Sequence, residues 1–456
     1  MIRSCVSNTA IREAKRIAIV TGHFPPSNLA GVHRARLWAQ YLPEFGWEPI
    51  IITPHWKYYQ EPLDVGLLEL VNPNLRIIRT KAIPVGPVKL VGDIGVRSFY
   101  WQLKALDELI VRREIDFLHI TIPSNYLALL GELLYRRHRF PFGIDYQDPW
   151  VHPWPGIEKR FSKAWLSYKL SQWLEPLTVK NAALITGVAP PHYQGALERN
   201  PKVRERCVNA AMPIGNSESD YELVRNTRRQ TFLFPKDDGL FHIVYAGTMW
   251  PKAHAVLEIF LNAVRILCDD EPKLMNQVRI HFIGTGKSPN NSEGQVKPLI
   301  DRLALGQWVK EHPNRIGYLD VLNHLTHASA IFILGSTEAH YTPSKIFQSV
   351  QAKRPIFAVL HERSTAVVLL RESEAGIAVT FTEQMLPTAP ELAGALGAFI
   401  RDPEYSVEKV RWSAFQTYSA RNSARMLAGA VERVLDLLQQ RKAANGPERS
   451  IGHTVG

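Results

Sequence analysis

Short apolar runs of five to seven residues, rich in isoleucine and valine, recur along this chain between longer stretches in which apolar positions return every three or four residues. In the first half they fall at Ile17–Gly22, Pro49–Thr53, Arg76–Thr80, Asp116–Thr121, Phe142–Tyr146 and Ala182–Val188. In the second half they fall at Phe241–Gly247, Arg279–Gly284, Asn314–Leu319, Ala330–Gly335, Pro355–Leu360 and Ala375–Phe381. Near-continuous apolar runs predict strands covered on both faces, and their alternation with helical stretches predicts βα units in parallel sheets. The pattern breaks between about Asn200 and Asp238, where Pro213, Gly215, Pro235 and many charges interrupt it. The expected organisation is α/β, with two Rossmann-like, doubly wound domains at 1–200 and 239–404 and a linker at 201–238. A helix at 405–442 and a disordered tail at 443–456 complete it.

Doubly wound sheets bind ligands outside the carboxyl ends of their strands, so the chemistry is expected in those loops. The stretch from Tyr341 to Ala358, YTPSKIFQSVQAKRPIFA, carries the most specific signal. Pro343 and Ser344 open a helix, Lys345 stands in its first turn, and Ile346, Phe347 and Val350 form its apolar face. Free N–H groups at a helix start attract anions, and Lys345 adds a full charge, so a diphosphate fits there.

That stretch resembles the donor-sugar motif of the GT-B glycosyltransferases, above all the large retaining family 4-like group that builds bacterial lipopolysaccharide and exopolysaccharide. Residues 16 to 54 are similar to that family's opening strand, loop, helix and second strand, and residues 241 to 267 to the start of its second domain. The resemblance implies a GT-B fold: two domains facing a cleft, with the C-terminal helix crossing back to the first. It further implies a hexosyltransferase-like enzyme that takes a nucleotide sugar as substrate and needs no cofactor.

Carried onto this sequence, the resemblance makes Lys252 and Lys345 the two cations of the donor diphosphate. Cations fixed at a leaving diphosphate can replace a metal ion, and no DxD-like motif stands at a strand end. Thr248 stands where the family usually places an arginine. His340 and Gln348 stand where many members carry paired glutamates, with Glu338 and Tyr341 close by. His340 reaches a sugar hydroxyl or phosphate on this reading, and Gln348 a ribose hydroxyl. Gly31, Gly284 and Gly286 let the backbone approach the ligand, Ser344 accompanies Lys345, and Tyr318 either contacts the base or packs in the core.

On the acceptor side Asp145 and Asp148 end the fifth strand, where the family often shows Asp-Pro-Trp. Asp148 either positions or deprotonates the acceptor hydroxyl, or caps the next segment or pairs with an arginine. His152 is a weaker candidate for that duty. Arg34 and Arg36 either reach a phosphate or lie on a helix surface. His119 reads as structural, while Thr121, standing where members place a second histidine, and Ser124 are possible sugar contacts.

Composition narrows the partners. The 456 residues are 45% hydrophobic, enough for two cores, and carry a formal charge of +11. Basic residues are dispersed and no nucleic-acid motif accompanies them, so nucleic acid is not an expected partner. Their densest cluster, Glu158 to Trp173, reads either as an anchor on anionic lipid or as a packed helix with a solvated charged face. No apolar run reaches a membrane span, and the first residues lack the apolar centre of a signal peptide, so a cytoplasmic place is expected, with peripheral contact at the inner membrane face. Cys5, Cys207 and Cys268 are too dispersed for a metal site and read as free thiols.

The function that follows is transfer of a sugar from a nucleotide sugar to a hydroxyl on a lipid-linked (polyprenol-borne) or polysaccharide glycan acceptor. Two alternatives stand beside it. One is a GT-B protein that binds nucleotide sugar or glycan without turnover, the other a nucleotide-sugar epimerase of related fold.

Overall fold

A computed structural model describes residues 14–86, 92–122, 124–152, 159–227, 229–286, 294–338 and 345–444. Among the described residues thirteen strands form two sheets, and every pair of neighbouring strands runs parallel. The first sheet holds β1 (Lys15–Val20), β2 (Trp47–Pro54), β3 (Arg76–Thr80), β4 (Phe117–Ile122), β5 (Phe142–Tyr146), β6 (Leu184–Gly187) and β7 (Val208–Ala211), in the order β3-β2-β1-β4-β5-β6-β7. The second holds β8 (Phe241–Ala246), β9 (Val278–Ile283), β10 (Val309–His312), β11 (Ala330–Leu334), β12 (Ile356–His361) and β13 (Gly376–Phe381), in the order β10-β9-β8-β11-β12-β13. The order reverses between β1 and β4 and again between β8 and β11, so each sheet has the switch point that opens a crevice at its carboxyl end.

The central strands are mostly apolar because helices cover both faces. In the first domain Val20, Ile120 and Ile144 face one core while Ile17, Ile19 and Phe117 face the other. In the second, Ile243, Ile280 and Phe332 face one core and Val244, Ile331 and Ala358 the other. Two edge strands depart from the expected list. The run at Asn314–Leu319 is not a strand: β10 lies just before it as VKEH, and Tyr318 begins the helix Tyr318–His327. β7, VNAA, lies inside the stretch at 201–238, which also carries the helix Glu218–Asn226. An edge strand packs with fewer apolar residues, as exposed Asn209 and Lys310 show, and so leaves a weak pattern.

The chain crosses back to the first domain, but not on a single helix at 405–442: a short helix at Trp412–Gln416 precedes the long helix Ala420–Ala444, which runs two residues into the stretch expected as a tail. The long helix seats Ala424, Leu427 and Val431 against Ala35 and Trp38 of the first domain, and Ser423 accepts a hydrogen bond from the Trp38 indole at 3.1 Å. The two crossings touch at Gly215, whose φ is +76° and where a Cβ would stand 2.5 Å from the Ala420 nitrogen. A side chain there would force the crossings apart. Among the described residues no helix is long and apolar enough to cross a membrane.

Candidate active site

The carboxyl ends of β8, β10 and β11 converge on one polar recess of the second domain. β8 ends at Ala246 and runs into Gly247, Thr248 and Met249, with the Gly247 amide held by the Ile283 carbonyl. Lys345, first residue of the helix Lys345–Gln351, lays its ammonium across this turn. Its Nζ is 3.2 Å from the Tyr245 hydroxyl, 3.4 Å from the Thr248 carbonyl and 4.7 Å above the Tyr245 ring. Gly247 makes the placement feasible: its φ is +135°, and a Cβ there would overlap the lysine, 1.8 Å from Cε.

Beside it stands Arg315, from the loop after β10, whose Nη2 donates to the Thr248 hydroxyl at 3.2 Å. Neither cation has a carboxylate partner among the described residues. Burial, then the neighbouring Arg315 charge, pushes the Lys345 ammonium down to about 7, and burial lowers the Arg315 guanidinium as well. Lys345 is half-buried and Arg315 exposed, so water screens the pair in part; two neighbouring cations with no counter-charge among the described residues still repel each other, and an anion placed between them relieves that repulsion. Perturbed groups cluster at functional sites, which makes this pair of cations a candidate ligand site.

Lys252 is arranged differently. It is 63% exposed and pairs at 2.6 Å with Glu338, itself 51% exposed. Gly284 follows β9 at φ +71° with open space around it, and its amide donates to the His312 carbonyl. The Gly286 amide donates to the Pro313 carbonyl, so both glycines tie the β9 loop to the β10 loop that carries Arg315. The Gln348 carbonyl accepts from the Tyr221 hydroxyl at 2.6 Å, leaving its half-buried carboxamide outside that bond. His340, Tyr341 and Ser344 lie outside the described residues, as does Pro343.

Tyr318 is part of the contact between domains. Its amide donates to Asp64 of the first domain at 2.7 Å, its hydroxyl to Asp220 at 3.0 Å, and its ring lies 4.3 Å from that of His33. Both sequence readings of Arg34 and Arg36, phosphate contact or helix surface, give way to a third. Arg34 is buried and grips Asp145 with two bonds of 3.0 and 2.7 Å, while Thr186 adds a third bond to that carboxylate. Arg36 is equally buried and pairs with Asp220 at 2.6 Å. Burial pushes the Asp145 carboxyl up, and the Arg34 charge outweighs it, leaving the group below its usual range.

The other first-domain candidates divide. Asp148 is exposed in the loop after β5 with no hydrogen bond or ion pair among the described residues, which leaves its carboxylate open to a ligand. His152 is also exposed. Gly31 caps the helix Val32–Tyr41 at φ −61°, a conformation open to any residue, and its carbonyl accepts from Gln147. Thr121 is buried and donates to the Val20 carbonyl, Ser124 donates to Asp93, and His119 is buried beside Trp38 with its imidazole pushed down to about 4 by desolvation.

Three groupings escaped the sequence reading. Arg315 was hidden inside the apparent strand NRIGYL. Gly247 read as the end of a strand. The third sits in the loop after β1, where Glu61 accepts from Ser27 and faces His23 Nδ1 at 2.6 Å. Burial raises the Glu61 carboxyl, but His23 and Ser27 prevail and hold it at about 2. Glu61 lies 38 positions from His23 and 34 from Ser27, and no local pattern joins them.

No family model matches the chain, and no curated protein sequence does. Solved structures do. A glycosyltransferase from Rickettsia africae superposes with a TM-score of 0.58 at 17% identity, covering 93% of this chain and 99% of that one. Sucrose-phosphate synthase from Thermosynechococcus elongatus gives 0.56 at 16% identity, with 94% and 100% covered. HepE from Anabaena, solved with UDP and glucose, gives 0.56 at 14% identity, with 92% and 100% covered. The fold is GT-B: two parallel-sheet α/β domains with a long helix returning to the first.

Proposed function

We propose that this protein is a glycosyltransferase that moves a sugar from a nucleoside-diphosphate sugar to a hydroxyl of a lipid-linked or polysaccharide acceptor, with retention and without a metal ion. The observation that carries the proposal is the Lys345–Arg315 pair at the carboxyl ends of the second sheet, which has no carboxylate partner among the described residues. As the glycosidic bond breaks, negative charge grows on the departing diphosphate, and cations already fixed beside it stabilise it without reorganising. Lys345, packed on the Tyr245 ring, and Arg315, held on Thr248, are preorganised in this way. The arriving diphosphate also draws the lysine back to its charged form. Gly284 and Gly286 line the adjacent β9 loop, where a nucleoside can lie against the backbone. Asp148, on the first domain's side and without a hydrogen bond or ion pair among the described residues, is the carboxylate that orients the acceptor hydroxyl. Retention rests on the family resemblance alone.

The test is turnover with EDTA present. The protein is incubated with UDP-, GDP- and ADP-sugars, with and without polyprenol-phosphate glycans, and free nucleoside diphosphate is measured. Release from one base series, abolished by Lys345→Ala, supports the proposal, and uridine donors come first because HepE shares the fold and was solved with UDP. Saturable binding without release in any mixture points to a binding protein, and an altered sugar still attached to its nucleotide points to an epimerase.

A further inference from the structure

The helix Lys163–Val179, which follows β5, has two apolar faces, and only one is used inside the molecule. Ser171, Leu174, Glu175, Thr178 and Val179 point into the domain. Roughly 130° around the helix at about 100° per residue runs a second stripe, Leu166, Leu170, Trp173 and Leu177, spaced four, three and four residues apart. Leu166 is 52% exposed, Leu170 40% and Trp173 66%. At the cleft end Phe161 adds a ring that is 68% exposed, on a backbone with φ of 65°. A bulky residue adopts that conformation at a cost, and here the cost leaves an aromatic ring in water, between Trp165 and Arg160.

Charge selects the occupant. From 159 to 180 the chain carries Lys159, Arg160, Lys163, Lys169 and Lys180, and none is in an ion pair among the described residues. The one carboxylate there, Glu175, is buried and held by Arg199 at 2.8 Å. An apolar stripe with tryptophan at its edge, on a segment 159–180 that carries cations and no exposed carboxylate, has the chemistry of a helix lying in the surface of an anionic bilayer. We propose that this face docks the protein on anionic lipid, with the cleft end of the helix toward the headgroups. The inference depends on the glycosyl-transfer reading only in that it presents the cleft to a lipid-borne acceptor. It does not depend on the donor site.

The experiment is cosedimentation of the full chain with phosphatidylcholine vesicles made with and without phosphatidylglycerol, for wild type, Leu170→Glu/Trp173→Glu and Lys163→Gln/Lys169→Gln. Both pairs lie on the surface, and unchanged thermal melting confirms that each variant folds. Expected are pelleting with the anionic vesicles only, at least a tenfold loss in the acidic variant and a several-fold loss in the glutamine variant. Raising salt from about 0.1 M to about 1 M, which shortens the screening length from about 10 Å to about 3 Å, should also weaken binding. Equal pelleting with neutral vesicles, no pelleting, or variants that bind like wild type would overturn the proposal. So would concentration-dependent dimerisation abolished by Trp173→Glu, which would assign the stripe to a second copy. A protein that releases nucleotide but ignores vesicles loses this proposal and keeps its donor site, and the reverse result separates them the other way.

Discussion

Arg34 and Lys345 read alike in the sequence, each a cation at the start of a helix that follows a strand at its sheet's switch point, and the fold treats them oppositely. Arg34 meets Asp145, Thr186 and the Met212 carbonyl in a buried, closed set of bonds. Lys345 meets a hydroxyl, a carbonyl, the face of a ring and a second cation. A buried cation with its carboxylate belongs to the scaffold, whereas one without a carboxylate awaits its counter-ion. The first domain thus uses Arg34 and Arg36 for cohesion, and on the proposed function the second keeps Lys345 and Arg315 for the donor's diphosphate.

Substitutions can break that contrast, beginning with the largest effect. Arg34→Met leaves the Asp145 carboxylate buried and unpaired and should cost about 3–5 kcal/mol in stability by urea denaturation. Lys345→Met should do the opposite. It should lower affinity for a nucleoside diphosphate at least about a hundredfold in calorimetry, in keeping with the ~3 kcal/mol of a desolvated charge-assisted contact. The ligand-free melting temperature should hold or rise, because a lysine whose folded pKa lies below its unfolded value destabilises the fold at pH 7 and below. Stability therefore rises as pH climbs from about 7 toward about 10.4 in wild type, and this rise shrinks in the variant. A variant that melts early and still binds would return Lys345 to the scaffold.

Smaller effects sharpen the contrast. Arg315→Gln should weaken binding about tenfold, since it leaves Lys345 in place but removes one charge from the pair. Lys252→Ala should change binding less than about threefold, because an exposed pair such as Lys252–Glu338 contributes about 0–1 kcal/mol. If Lys252→Ala proved the more damaging of these two, the diphosphate would lie on the exposed side of the β8 loop and not in the recess.

The fold was legible where strands are covered on both faces, since burial leaves an unbroken apolar run such as Ile17–Val20 or Ile356–Leu360. It was illegible at the edges, where β7 and β10 carry Asn209 and Lys310 into solvent. That a helix begins at Lys345 was legible because its sequence signal, Pro-Ser-Lys after an apolar run, is local. The pairing of Arg34 with Asp145, 111 residues away, and of Arg36 with Asp220, 184 residues away, has no local signal. Arg315 was lost for a related reason: the apolar spacing of NRIGYL imitates a strand, while Pro313 before it ends β10 and turns the chain into the site.

The most direct test is the proton count on binding. Calorimetric titration of a nucleoside diphosphate at pH 8, in buffers of different ionisation enthalpy, measures the protons taken up by the complex. A free ammonium with a pKa of about 7 is about nine-tenths deprotonated at pH 8, so a diphosphate that seats against it should draw in close to one proton. That uptake should vanish in Lys345→Met, and wild-type affinity should fall as pH rises above about 7. Tight binding with no proton uptake would contradict the account, because the diphosphate would then lie away from Lys345.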